Sequence, residues 1–168
     1  MPDSAPEDQV LVVIDMQDKF RASNDQQTIY FVKQEILRAK QIGMAVIIVE
    51  FDPYEMGKTH REITDLLEGY ERSVTITKSA NDGSEEIIEA CLDNGFWMED
   101  FRVCGVNSDA CVLETVTGLL ERVSSCQISV VQDACNCLVG ADNDVWREDY
   151  PSLPITVIPL GLALHQAA

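Results

Sequence analysis

The chain has 168 residues, 46% of them hydrophobic, and a net charge of −17 from 29 acidic and 12 basic residues. This length and apolar content predict a single folded domain, residues 1–168, with a sizeable core. Because there is no basic footprint, the charge disfavours binding to nucleic-acid phosphates and to anionic membranes. The acidic excess itself indicates a soluble protein.

The N-terminal sequence and the cysteines indicate a cytoplasmic protein. The opening sequence MPDSAPEDQ has neither the basic start nor the apolar core of a signal peptide. No apolar run approaches the roughly 20 residues that span a bilayer. The six cysteines are therefore expected to be thiols. With only His60 and His165, and no cysteine pair at zinc-ligand spacing, we expect no structural zinc site.

Apolar runs of strand length alternate along the chain with amphipathic stretches of helix length. The predicted strands are residues 10–14, 45–49, 74–77, 101–106, 128–131 and 155–158. Predicted helices cover residues 29–39, 87–92 (with Ser84 as the cap) and 112–123, whereas residues 139–150 carry little helical periodicity. The pattern predicts a three-layer α-β-α, Rossmann-like α/β fold with a six-stranded, mostly parallel sheet.

Polar residues lie where the predicted strands end. They include Asp15, Asp52, Lys78, Asn107 and Asp133. In open α/β sheets, ligands bind beyond the carboxyl ends of the strands. We therefore expect these residues to meet at one edge, together with the loop that leads to Cys111.

Cys111 lies in a turn between the fourth predicted strand and a helix predicted to begin at Asp109 or Ala110. The positive end of a helix dipole favours the thiolate, which is the nucleophilic form. The free N–H groups at the same helix end can bind an oxyanion. The spacing alone fits a buried, purely structural cysteine equally well.

Lys78 and Asp15 are expected beside this thiol. A lysine there would lower the pKa of the thiol, and Asp15 can take the thiol proton and return it to a leaving amine. Taken singly, a solvated strand-end lysine and a turn aspartate explain the two residues as well. Their meeting with Cys111 at one edge favours catalysis.

Two motifs resemble those of the isochorismatase-like cysteine hydrolases, the superfamily of nicotinamidases and N-carbamoyl amidohydrolases. Residues 15–20, DMQDKF, are similar to its D-M-Q-x-x-F signature. Residues 105–112, GVNSDACV, are similar to its G-V-x-x-D-x-C-V nucleophile loop. Lys78 falls where the family has its lysine, and the resemblance covers nearly the whole chain.

The resemblance implies a catalytic triad of Asp15, Lys78 and Cys111. It also implies a cis peptide bond between Val106 and Asn107, so that the N–H groups of Asn107 and Cys111 would form the oxyanion hole. The implied reaction is attack of the Cys111 thiolate on an amide or ureido carbonyl. Water would then hydrolyse the resulting thioester.

The resemblance also suggests roles for nearby residues. Asp109 is expected to tie the nucleophile loop by side-chain to backbone hydrogen bonds. Phe20 and Tyr54 are candidates to stack on a substrate ring, and His60 is expected in a loop or at a helix start, where it can line the pocket.

Metal-dependent nicotinamidases carry D-x-H after the second strand and a further histidine downstream. Residues 52–54 read DPY here, so Asp52 and His60 remain as the candidate ligands. Two ligands are fewer than the three protein ligands of a usual catalytic metal. We therefore predict no metal and no other cofactor.

The predicted partner is a small-molecule amide or N-carbamoyl substrate, and the resemblance implies a homo-oligomer, either a dimer or a tetramer. The main alternative is a catalytically idle isochorismatase-like module for binding or scaffolding, which would not need all three triad residues. A flavodoxin-like carrier is disfavoured, because residues 16–20 offer no phosphate loop after the first strand. Isochorismatase proper lacks a cysteine in this role.

Overall fold

The computed structural model describes residues 5–163, and His165 lies outside the described residues. The strands in this range are β1 (Gln9–Ile14), β2 (Ala45–Phe51), β3 (Ser73–Lys78), β4 (Asp100–Val106), β5 (Gln127–Asn136) and β6 (Thr156–Ile158). The α-helices are α1 (Gln26–Ile42), α2 (Pro53–Met56), α3 (Arg61–Thr64), α4 (Ser84–Asn94), α5 (Cys111–Arg122) and α6 (Val145–Glu148). None of the helices within residues 5–163 is long and apolar enough to cross a membrane.

The six strands form one parallel sheet in the order β3-β2-β1-β4-β5-β6. From β1 the chain first adds strands on one side, and after β3 it adds them on the other side. Because crossovers between parallel strands are right-handed, the connections before and after β3 cover opposite faces. Accordingly α1 contacts α3, and α4 contacts α5. The predicted three-layer α/β fold is confirmed.

The centre of the sheet consists of strands that are apolar along their whole length. Residues 10–14 of β1 are at most 1% exposed, as a strand covered by helices on both faces requires. Helix α1 covers part of one face. It begins after Asp25, whose carboxylate accepts the N–H of Thr28 (2.8 Å), and it ends at Gly43 in the left-handed conformation.

Strand β5 is longer than predicted. It continues past Val131 to Asn136, with a register shift against β4 between Val103 and Gly105. Asp133 therefore lies inside the strand, where its Oδ2 accepts the N–H of Gly161 (3.0 Å). The prediction that Asp133 stands at the ligand edge is wrong.

Helices α4 and α5 begin at residues other than those predicted. Ser84 is the first residue of α4, and its cap is Gly83; the carboxylate of Asp82 accepts the Ser84 N–H (2.8 Å). Helix α5 begins at Cys111 and not at Asp109 or Ala110, because Ala110 has φ −137° and ψ −97°. Residues 139–150 contain one helical turn, α6, and the start of a short 3-10 segment, Tyr150–Ser152.

Candidate active site

The ends of β1 and β4 meet in the middle of the sheet, where the strand order reverses. Ile14 of β1 pairs with Gly105 of β4. A Cβ atom at position 105 would lie 2.1 Å from the carbonyl oxygen of Ile14, so glycine is needed for this close approach. Such a reversal is where open α/β sheets bind ligands. Asp15 follows β1 at this point, and residues 107–110 lead from β4 to Cys111.

Asp15 turns the chain at the end of β1. Its φ of 53° lies in the left-handed region that residues other than glycine rarely adopt, and its N–H donates to the carbonyl of Val49 (2.9 Å). The side chain is 1% exposed. Its oxygens accept no hydrogen bond of regular geometry within residues 5–163. A strained backbone and a buried carboxylate without a regular hydrogen bond are both typical of functional sites.

Lys78 is fixed beside Asp15 by several contacts. Its Nζ lies 3.1 Å from Oδ2 of Asp15 and donates to the carbonyls of Ala80 and Asn81, both at 2.9 Å. The same Nζ lies 4.8 Å from the centre of the Phe51 ring. Because the lysine side chain is 0% exposed, these contacts must replace the water that the ammonium loses.

Cys111 begins α5 and is 5% exposed. The pKa of its thiol is raised to about 12; burial is the largest cause, the Asp15 carboxylate acts in the same direction, and Lys78 opposes both. Lys78 thus acts in the predicted direction. Burial and the Asp15 carboxylate outweigh the lysine, so the raised pKa favours the thiol, the form from which Asp15 is expected to take the proton.

Burial also raises the pKa of Asp15, while the Lys78 charge and the nearby Cys111 thiol lower it. A carboxylate with a raised pKa is a better match for accepting a thiol proton than a fully solvated carboxylate. The site therefore combines a thiol whose pKa is raised, a carboxylate close enough to shift that pKa, and a buried cation that stabilises the negative form of either group.

The nucleophile loop, residues 106–111, is held from several sides. The Val106–Asn107 peptide bond is cis. The Asn107 carbonyl accepts the N–H groups of Ala110 and Val112 (both 3.1 Å). Within the described residues, the N–H groups of Asn107 and Cys111 have no hydrogen-bond partner. Both N–H groups are thus available to an oxyanion.

Ser108 ties this loop to the rest of the fold, in place of the expected Asp109. The N–H of Ser108 donates to the Asn136 carbonyl (2.9 Å), and its own carbonyl accepts the hydroxyl of Tyr150 (2.8 Å). Asp109 is exposed, and its side chain makes no hydrogen bond within residues 5–163. The prediction that Asp109 ties the loop is wrong, because that side chain points into solvent.

The candidate pocket residues lie in different surroundings. Phe20 is half-buried, and its ring meets the Phe51 ring edge-on, with the centroids 6.0 Å apart. Tyr54 is 91% exposed and contacts no other ring in the described part of the chain. His60 directly precedes α3, and its Nε2 lies 3.0 Å from the hydroxyl oxygen of Ser23. The structure thus brings Phe20, through Phe51, close to Lys78, and leaves Tyr54 in solvent.

The two candidate metal ligands do not form a larger donor cluster. Asp52 is exposed and has a left-handed φ of 31°. Residues 5–163 contain no group of three or more His, Cys, Asp or Glu side chains that could hold a metal ion.

Phe51 and Asn81 contact the site but were not predicted from the sequence. Gln17 fixes Phe51, since its Nε2 donates to the Phe51 carbonyl (2.9 Å) and its Oε1 accepts the Phe51 N–H (2.7 Å). Oδ1 of Asn81 lies 3.7 Å from Sγ of Cys111. Gln17 and Phe51 are 34 residues apart in sequence, and Asn81 and Cys111 are 30 residues apart, so no local pattern links the members of either pair. The available signal was Gln17, a polar residue that follows a buried strand.

Lys78 also borders a surface depression of about 350 Å³. The depression is lined by Asp52, Pro53, Thr77, Lys78, Ser79 and Glu86. Because neither Asp15 nor Cys111 lines it, this depression does not mark the place of attack on a substrate.

Comparison with known proteins points to one family. A family model for the isochorismatase domain matches residues 9–143. Isochorismatase domain-containing protein 2 of Xenopus laevis is 31% identical in an alignment of length 134 that covers 76% of this chain and 60% of that protein. The chain spans about 60% of the length of the curated relatives that it matches.

Solved structures share the fold. A nicotinamidase from Staphylococcus aureus aligns over 91% of this chain and 99% of its own, with a TM-score of 0.74 and 15% identity. A ribonuclease from Caenorhabditis elegans aligns over 80% of this chain and 67% of its own, with a TM-score of 0.69 and 24% identity. At these identities the likeness is one of fold.

Proposed function

The chain belongs to the isochorismatase family, and on this premise we propose that it is a cysteine hydrolase of a small amide or N-carbamoyl compound. One observation carries the proposal. A buried thiol, Cys111, a buried carboxylate, Asp15, and a buried ammonium, Lys78, adjoin one another at the ligand-binding reversal of the sheet.

Acylation begins with a proton transfer, because the resting sulfur is a thiol. Asp15 takes the proton as Sγ of Cys111 attacks the substrate carbonyl carbon. When the tetrahedral intermediate collapses, the C–N bond breaks and the protonated Asp15 gives its proton to the leaving nitrogen. Ammonia or an amine departs, and the acyl group stays on the sulfur as a thioester.

Lys78 balances charge during this exchange. Before the transfer it faces a carboxylate, and during the attack it faces a developing thiolate in the same buried space. Since its Nζ is anchored by two carbonyls, it need not move between the two states. A preorganised cation of this kind stabilises the charge as it develops.

The oxyanion of the intermediate is assigned to the N–H groups of Asn107 and Cys111. Both N–H groups lack partners within residues 5–163. The Cys111 N–H belongs to the residue that carries the attacking sulfur, and the Asn107 N–H belongs to the same loop. Water then attacks the thioester, gives a proton to Asp15, and the C–S bond breaks. Asp15 returns the proton to sulfur, so the overall reaction is amide plus water to carboxylic acid plus amine.

The burial of the site and the charge of the chain support a small substrate. With Cys111 only 5% exposed, a large acyl group has little room to approach. The net charge of −17 opposes a polynucleotide substrate. Phe20 and Phe51 provide apolar ring surface close to Lys78, which suits a planar or apolar acyl group.

An ammonia-release screen tests this function. Nicotinamide, N-carbamoyl amino acids and simple ureas are offered to the unmodified protein, to Cys111→Ala and to Cys91→Ala, which removes a buried thiol of α4 as the matched control. We expect at least one substrate to be turned over by the first and third proteins and not by Cys111→Ala. Rapid quenching followed by intact-mass measurement should detect the acyl adduct on Cys111.

Turnover that survives in Cys111→Ala would overturn the proposed mechanism. If no compound is turned over and no acyl adduct forms on Cys111, the idle binding module is supported instead.

A further inference from the structure

The side chain of Asn81 lies against the sulfur that the mechanism uses. Its Oδ1 is 3.7 Å from Sγ of Cys111. The residue is exposed, so Asn81 stands between the buried thiol and solvent. A thiol is a weak hydrogen-bond donor, and this contact is therefore one that a better donor on a substrate can replace.

Backbone contacts hold Asn81 in this position. Its carbonyl accepts hydrogen bonds from Nζ of Lys78 (2.9 Å) and from the hydroxyl of Thr115 on α5 (3.3 Å). Both contacts involve the main-chain carbonyl of Asn81 and not its side chain. The carboxamide is therefore held in place by the site, but the site does not depend on it for its own hydrogen bonds. A change of the side chain therefore leaves the anchor of Lys78 in place.

Attack geometry brings a scissile nitrogen close to this carboxamide. The carbonyl carbon of a substrate must come within about 3–3.5 Å of Sγ. Its nitrogen is only about 1.33 Å further along the amide bond, which is within reach of an oxygen that itself lies 3.7 Å from Sγ. Once Asp15 has taken the thiol proton, its O–H is the donor that serves the leaving nitrogen, and Oδ1 of Asn81 offers a separate acceptor for an N–H of that nitrogen.

We propose that Asn81 is a specificity-determining residue whose Oδ1 accepts an N–H of the scissile amide or ureido nitrogen. The inference rests on the proposed function and deepens it. Asn81 then selects substrates whose reacting carbonyl carries an N–H group over esters of the same shape. An ester has no donor that can replace the thiol at Oδ1. A site that reads a donor in this way discriminates against the analogue that lacks it.

Alkylation of Cys111 tests this without requiring turnover. Iodoacetamide carries the N–H donors, and methyl iodoacetate is its ester counterpart. In both, sulfur displaces iodide and forms an S–C bond. The rate of each reaction at Cys111 is followed by peptide mass spectrometry and divided by the rate of the same reagent with glutathione, which gives an amide-to-ester selectivity.

Three variants are compared with the unmodified protein. Asn81→Ala removes the acceptor and should lower the selectivity about threefold to tenfold, the range expected for one neutral hydrogen bond. Asn81→Asp keeps an oxygen acceptor and should retain most of the selectivity. Ser79→Ala changes an exposed neighbour in the same segment and should leave the selectivity unchanged.

An unchanged selectivity in Asn81→Ala would overturn the inference and leave the proposed hydrolase intact. An equal loss in Asn81→Ala and Asn81→Asp would also overturn it, because it would assign the effect to shape and not to the acceptor. Failure of the proposed function has a different signature, namely turnover by Cys111→Ala or the absence of any acyl adduct.

Discussion

Nζ of Lys78 and Oδ2 of Asp15 lie 3.1 Å apart, and their side chains are 0% and 1% exposed. Buried ions are costly unless each has its partner. The pair joins the end of β3 to the end of β1, across the intervening strand β2. The pair therefore stabilises this edge, and in the proposed mechanism it also takes part in the proton exchange with Cys111; the two roles can be separated by experiment.

Lys78→Met should destabilise the protein, because it leaves Asp15 buried without a counter-charge. The expected loss in free energy of unfolding is about 3–5 kcal/mol at pH 8. Burial already raises the pKa of Asp15, and loss of the lysine raises it further. The folded variant then keeps a proton that the unfolded chain releases, so its loss should be smaller at pH 5 than at pH 8. Urea titrations at both pH values measure this.

The double variant Asp15→Asn/Lys78→Met is the control for that experiment. It removes both charges and should recover more than half of the lost stability at pH 8. An equal loss in the single and double variants would contradict coupling between the two side chains.

The alkylation rate of Cys111 should rise steeply with pH. A thiol with a pKa of about 12 gains about tenfold in thiolate for each pH unit between 7 and 10, without a plateau in that range. Asp15→Asn removes a charge that raises this pKa, so Cys111 should react several-fold faster at pH 8 although turnover is lost. Peptide mapping after timed treatment with iodoacetamide measures both effects.

Cys126 serves as the internal reference in the same digests, because Asp15 is not among the groups that shift its pKa. A slower reaction of Cys111 in Asp15→Asn, with Cys126 unchanged, would mean that the carboxylate does not hold the thiol in its neutral form.

Tyr150→Phe should weaken both the fold and the nucleophile loop. The Tyr150 hydroxyl donates to the Ser108 carbonyl at 2.8 Å, in a buried position, and its removal leaves that carbonyl unsatisfied. We expect a loss of about 1–2 kcal/mol in free energy of unfolding, together with a lower kcat on any substrate that the screen identifies. Chemical denaturation and steady-state kinetics give the two quantities.

Tyr70→Phe is the matched control, since the Tyr70 hydroxyl also donates to a backbone carbonyl, that of Met44, at 2.5 Å. Its stability should fall by a similar amount while kcat stays unchanged. A similar fall in kcat for both variants would argue against a specific role of Tyr150 in holding the loop.

Gly105→Ala should disrupt the junction of β1 and β4. Its Cβ would lie 2.1 Å from the Ile14 carbonyl oxygen, at a φ of +120° that side chains rarely adopt. A destabilisation of about 3 kcal/mol combines overpacking with backbone strain. The control is Gly140→Ala, at φ +105° with no atom within 4 Å of the added Cβ, which introduces backbone strain alone. It should lower the free energy of unfolding by less than Gly105→Ala does, as measured by thermal and urea unfolding. Equal costs would rule out the close approach as the cause.

The fold, and the meeting of Asp15, Lys78 and Cys111 at one edge of the sheet, were predictable because their signals are local. A continuous apolar run such as residues 10–14 indicates a buried parallel strand in any context. The ends of parallel strands share one edge, so residue types at strand ends could be expected to meet there. Asp15, Lys78 and Cys111 were found in this way, and the two motifs resembling a known family agreed with it.

Asp133 and Tyr150 mark where local signals failed. A register shift carries β5 on to Asn136, and such shifts depend on the partner strand. The crossover of residues 139–150 showed little periodicity because it has only one helical turn. Even so, it leads to Tyr150, which holds the nucleophile loop. The contribution of this crossover comes from the buried hydrogen bond between Tyr150 and Ser108 and not from a regular helix or strand.

The sequence by itself determined the alternation of strands and helices, and the positions at which a carboxylate, an ammonium and a thiol leave the strands. The tertiary structure decided that the strand order reverses between β1 and β4, and that Asn81 lies against the sulfur. It also decided that burial raises the pKa of Cys111. The reason is physical: the pKa of Cys111 depends on how much water the surrounding side chains remove, and those side chains come from segments far apart in the chain.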